Sequence, residues 1–136
     1  TWAAIGLFDG ELPARWARIV APENAALAID DRARAYLHAN CANCHRPGVG
    51  NSGTSDLRVT TPLPATKACD EPPVKGTLGH GVGVRLLAPG NPDASMVLLR
   101  MRALDSTRMP TVASLLVDDA GVGLLSAWIS GLSACP

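Results

Sequence analysis

The sequence predicts an all-α fold in which three helices are joined by long irregular loops. Three observations carry this. Apolar residues recur at helical spacing in three separate stretches, and no pair of alternating runs reads as a β-hairpin. A Cys41–Ala42–Asn43–Cys44–His45 run also sits at the end of the first helical stretch. With 136 residues the chain is one domain by length, enough to bury a modest core.

Residues 1–28 read as an N-terminal arm or linker, the tail of an upstream region. Trp2, Ile5, Leu7, Phe8, Leu12 and Trp16 are apolar without a sustained period, and Asp9–Gly10 and Pro13 mark turns. These apolar side chains are expected to pack onto the body. Residues 29–136 form the main domain. Its first helix is expected from about Asp31 to Asn43, with Asp30 as N-cap. Ala33, Leu37, Cys41 and Cys44 then share one face, and Pro47 and Gly48 stop the helix.

Gly48 to Gly90 is rich in Gly, Pro, Ser and Thr and predicts little regular structure beyond short helical turns around Leu57 or Ala65. A loop this long in a compact domain needs a reason, and wrapping a prosthetic group is one. The second helix has explicit start chemistry in Asn91, Pro92 and Asp93, and is expected to reach about Ala103. A loop from Asp105 to Val117 carries Arg108–Met109–Pro110. The last helix starts at Asp118 or Asp119, ends near Leu132, and turns Val122, Leu125, Trp128, Ile129 and Leu132 to the core.

Hydrophobic residues make up 47% of the chain but aromatics only 4%, so the core is short of large plates that a bound cofactor would supply. Lys plus Arg equals Asp plus Glu at 12 each, and no block of like charge points to nucleic acid or a membrane surface. No segment approaches the ~20 apolar residues of a membrane span. Thr1–Trp2–Ala3–Ala4–Ile5 has no signal-peptide character, so Thr1 is expected to be a processing boundary or a cut from a larger protein.

Cys41, Cys44 and His45 carry the chemistry. Two cysteines three apart on a helix lie on the same side, close enough to form thioethers with both vinyl groups of a haem. The histidine that follows lies under the iron and coordinates it. A redox dithiol does not need His45 and is usually set in a βαβ pattern. A zinc site needs two further close ligands, and Cys69 and Cys135 are isolated. The reading is therefore one covalent haem c. Cys69 and Cys135 are an even remainder. In an exported protein that favours a disulfide, worth about 4 kcal/mol for so long a loop, over two buried or unpaired thiols.

Electron-transfer haems take a second protein ligand, commonly a methionine or histidine. Met109 is the expected one: it lies in a loop, and Pro110 fixes the backbone behind it. Met96 and Met101 sit on the second helix and read as core methionines. His80, in a Gly-rich loop, is the competitor, while His38 sits on the wrong side of the haem and reads as a surface residue. Arg46, Arg58, Arg100 and Arg108 are candidate donors to the haem propionates. Leu57 is expected on the haem face with Arg58 at its edge.

The chain resembles the monohaem, class I-like cytochrome c family over about residues 30 to 132. The resemblance rests on Tyr36 through His45, Pro89–Gly90–Asn91–Pro92–Asp93–Ala94–Ser95, Arg108–Met109–Pro110 and Trp128–Ile129. More narrowly it looks like cytochrome domains at the C-terminal end of larger exported bacterial proteins, with Ile5–Gly6–Leu7–Phe8–Asp9–Gly10 like the tail of a preceding region. The resemblance implies a cytochrome c-like fold with crossed first and last helices, and His45 and Met109 as axial ligands. It also implies one-electron transfer with redox protein partners in the periplasm. The long middle loop and the Cys69 and Cys135 pair depart from the family. Two alternatives stand beside electron transfer: an open-site haem enzyme or gas-binding domain, and an electron-relay domain of a fused exported dehydrogenase.

Overall fold

The computed structural model describes residues 2–8, 10, 18–50, 53–112 and 115–135. Asp9, Leu12, Pro13 and Trp16 of the expected arm lie outside them. Three α-helices, α1 (Ile29–Asn40), α2 (Met96–Arg102) and α3 (Asp119–Gly131), carry the fold. Short 3₁₀ turns at Trp2–Ile5, Leu63–Thr66 and Pro92–Ala94 complete it. Among the described residues there is no strand, only isolated parallel bridges at Cys69–Leu87 and Arg85–Ser95. The all-α expectation holds.

α1 departs from its expected limits at both ends. It starts two residues early and stops at Asn40, before the cysteines. Asp30 is not the cap, because its carboxylate accepts the indole N–H of Trp128 at 2.9 Å. α2 is also shorter than expected. Asn91 does cap, accepting the N–H of Ala94, but the turn it opens breaks at Ser95. The fully buried Ser95 hydroxyl accepts from the Ala88 N–H and donates to the Asn91 carbonyl, which holds its backbone extended. α3 starts as expected: Asp118 caps it by accepting the N–H of Gly121 at 3.0 Å.

The core lies where the three helices meet. Ala33 and Leu37 of α1, Leu98 of α2 and Leu125, Trp128 and Ile129 of α3 pack with Leu63, Ala68 and Leu87 from the long loop. α1 and α3 pack together at Gly121, where a side chain of even one carbon would overlap the Tyr36 ring. The Tyr36 hydroxyl donates to Asp118 at 2.8 Å, so the carboxylate that caps α3 also ties it to α1. The arm differs from expectation: Ile5 and Leu7 are 70% and 64% exposed and do not pack on the body. No helix among the described residues is long and apolar enough to cross a membrane.

Cys69 and Cys135 form a disulfide across 66 positions. It fastens the middle of the long loop to the chain just beyond α3.

Candidate haem attachment site

Cys41, Cys44 and His45 occupy a single tight turn that continues α1 without being part of it. The Cys41 N–H still donates to the Leu37 carbonyl at 2.9 Å, as in a helix. The Cys41 carbonyl then accepts from both Cys44 (3.1 Å) and His45 (2.8 Å). The turn thus gathers two thiols and an imidazole within five residues. Cys41 is half-buried at the core edge, Cys44 is exposed, and His45 is half-buried.

Both motif cysteines remain free while the other two are bridged. Burial, with a smaller contribution from Cys44, pushes the Cys41 thiol up to about 11. A thiol that stays protonated at neutral pH is a poor exchange nucleophile, since exchange needs the thiolate. Among the described residues no three His, Cys, Asp or Glu side chains come together as a metal site. Two thiols and one imidazole in a single turn are the donor set that a group bonded through two thioethers and one imidazole would use.

The loop that follows is braced by polar residues the motif alone does not announce. The Leu57 N–H donates to the His45 carbonyl at 2.9 Å. Beside it Asp56, 8% exposed, takes two bonds from Arg58 (2.9 and 2.7 Å) and one from the Thr61 hydroxyl (2.8 Å). Arg58 above all, then Thr61, holds the Asp56 carboxyl well below the usual range. Buried Arg34 on α1 donates to the carbonyls of Arg58 and Thr61. His38, one turn further along α1, is also recruited: its Nδ1 accepts the Val59 N–H at 3.2 Å. It is a loop brace rather than a plain surface residue. The signal was present as Arg34 and His38 four apart on one helix face, but their partners lie over twenty residues away.

Of the expected cofactor-binding residues, Cys41 and Leu57 border the same core cluster, and Leu57 is bonded to His45. Arg58 lies beside Leu57 with two of its donors committed to Asp56. Met109 lies in the loop after α2, half-buried, with its N–H donating to the Arg100 carbonyl at 2.9 Å and its peptide to Pro110 cis. The Arg100 Nε donates to the Thr107 carbonyl at 2.7 Å, and Thr107 donates twice to Asp105. The loop is thereby folded back onto α2, whose Val97 and Met101 pack on the cluster that Cys41 and Leu57 border. Met96 is buried in the core at 3% exposure. His80 is exposed, beside Asp105, whose carboxyl is held low chiefly by Thr107 and to a lesser extent by that histidine.

No protein-family model, no characterised protein and no solved structure matches this chain.

Proposed function

We propose that this chain is an electron-transfer domain of the cytochrome c type. It carries one haem c bound through Cys41 and Cys44, with His45 and Met109 as axial ligands. The observation that carries this reading is the division of the four cysteines. Cys69 and Cys135 bridge, while Cys41 and Cys44 stay as thiols in one turn with His45. A haem in this setting supplies a one-electron ferrous/ferric couple whose potential is raised by thioether ligation and an apolar surround.

The chain's own residues do the rest. The Leu57 N–H holds the His45 carbonyl, and the Arg34–Asp56–Arg58–Thr61 cluster holds Leu57's neighbours, so the imidazole sits on a fixed backbone. Fixed ligands keep reorganisation small when an electron arrives or leaves. Redox protein partners are met in brief contacts of low area. The disulfide supports an oxidising, periplasmic setting.

The test is expression with a haem-maturation system. One haem should remain on the Cys41–His45 peptide after denaturation, and Cys41→Ala/Cys44→Ala should carry none. The ferric protein should show the weak methionine-to-iron charge-transfer band, lost in Met109→Ala. Carbon monoxide should bind the ferrous parent slowly and Met109→Ala fast. A parent with no such band and rapid carbon monoxide binding would instead be an open-site haem protein.

A further inference from the structure

Several arginines of the described structure have a counter-charge. Arg58, Arg85 and Arg102 pair with Asp56, Asp70 and Asp93. Arg34 faces Asp30 and Asp56 across carbonyls it already bonds. Arg46 is exposed to solvent. Three half-buried arginines have no carboxylate within ion-pair reach among the described residues: Arg32, whose Nε donates to the Pro22 carbonyl at 2.7 Å, and the two near Met109, Arg100 and Arg108.

Arg100 lies on α2 and Arg108 in the loop after it, next to Met109, whose N–H donates to the Arg100 carbonyl. Arg100 spends its Nε on the Thr107 carbonyl, which leaves its two terminal nitrogens. Arg108 reaches the Thr111 carbonyl through Nη2 at the long distance of 3.5 Å, and its Nε is buried with no hydrogen-bond partner among the described residues. A guanidinium N–H buried without an acceptor is costly unless something arrives to take it. The backbone of Met109, bonded to the Arg100 carbonyl and adjacent to Arg108, ties the backbones that carry the two arginines to each other. Two planar forks short of an acceptor suit a carboxylate.

We propose that Arg100 and Arg108 together hold one propionate carboxylate of the haem, with the Arg108 Nε as its buried donor. This rests on the reading of Cys41, Cys44 and His45 as the haem site with Met109 as ligand, and it narrows four candidate arginines to two. The pair then does two things at once. It neutralises a carboxylate at the cofactor edge, and it anchors the loop that presents the Met109 sulfur.

The experiment compares the haem-loaded parent with Arg108→Gln, Arg100→Gln and, as control, Arg102→Gln, whose arginine pairs with exposed Asp93 at 3.1 Å. The readout is the propionate bending band in the resonance Raman spectrum, taken with the midpoint potential. Arg108→Gln and Arg100→Gln should each shift the band and lower the potential, while Arg102→Gln leaves the band in place. A band unmoved in both variants overturns the proposal. If Arg108→Gln does not mature, Arg108→Lys, which keeps the charge and removes the fork, is read in its place, and an unmoved band there overturns it equally. Haem on the peptide and the methionine band in the parent report the underlying reading separately. If either is missing, that reading has failed rather than the arginine assignment alone.

Discussion

Adding one methyl group at Gly121 tests the contact between α1 and α3. Gly121, Gly123 and Gly131 all lie in α3, and on helix propensity alone Ala should improve each by up to about 1 kcal/mol. At Gly123 a Cβ meets nothing, so Gly123→Ala should stabilise by roughly 0.5–1 kcal/mol. At Gly121 the Cβ overlaps the ring and hydroxyl carbon of Tyr36, so the ring or the helix must move. Overpacking of this kind costs about 1–3 kcal/mol. Moving the ring also breaks its hydrogen bond to Asp118, worth roughly 1 kcal/mol at this exposed position. Set against the propensity gain, Gly121→Ala should destabilise by about 2 kcal/mol, lowering the melting temperature by roughly 6–8 °C for a chain of this size. The assay is thermal unfolding followed by far-ultraviolet circular dichroism, with both variants also made in a Tyr36→Ala background. There Gly121→Ala should lose its penalty. A Gly121→Ala protein that melts at or above the parent would refute the close contact of Tyr36 on Gly121.

Three further outcomes follow from other contacts. Asp56 is ionised in the folded protein far below its unfolded value, so its stabilisation is full above about pH 4 and is lost as pH falls below that. Urea unfolding from pH 5 to pH 2 should therefore weaken the parent more steeply than Asp56→Asn, and parallel curves would contradict the Arg58 and Thr61 contacts. Removing the disulfide as Cys69→Ser/Cys135→Ser opens a loop of 66 residues and should cost about 4 kcal/mol in the chain-entropy account; an unchanged urea midpoint counts against the bridge. In the haem-loaded protein the methionine charge-transfer band should disappear at lower urea than the far-ultraviolet signal, and coincident transitions would exclude early release of the Met109 loop.

What could be read from the residues and what could not divide along sequence distance. The start of α3 was legible because Asp118 caps a residue three positions on, and its apolar stripe Leu125, Trp128 and Ile129 is buried as the spacing implies. The Asn91 cap was legible for the same local reason. The first residues of α1 were misread because the Asp30 carboxylate is claimed by Trp128 from 98 positions away. α2 was overextended because nothing local says that the Ser95 hydroxyl will take the Ala88 N–H. The motif at Cys41, Cys44 and His45 stood out as covalent chemistry needing fixed spacing, yet its backbone is a turn and not the helix end that the spacing suggested. The Arg34 and Asp56 cluster went unread because its one local hint, Arg34 and His38 four apart on α1, has partners more than twenty residues away.

The two sides of the candidate site are built to different standards, and that difference bears on what they can do. The loop after His45 is held by a buried arginine, a histidine acceptor and a carboxylate with three side-chain donors. Breaking it free means leaving the buried Asp56 carboxylate and Arg34 guanidinium short of hydrogen-bond partners, which is costly. The Met109 loop is held by its backbone bond to Arg100, by Arg100 on Thr107 and by the small Asp105 turn, while Val112, Leu115 and Leu116 just beyond it are exposed. Local opening draws on segments with few buried contacts and exposed hydrogen bonds. Under the electron-transfer reading, a firmly held His45 turn and a lightly held Met109 loop would make the methionine the ligand that leaves first. Under the electron-transfer reading, any added anchor on the Met109 loop therefore has a large effect on how closed the centre remains, and the acceptor-poor Arg108 is placed to be that anchor.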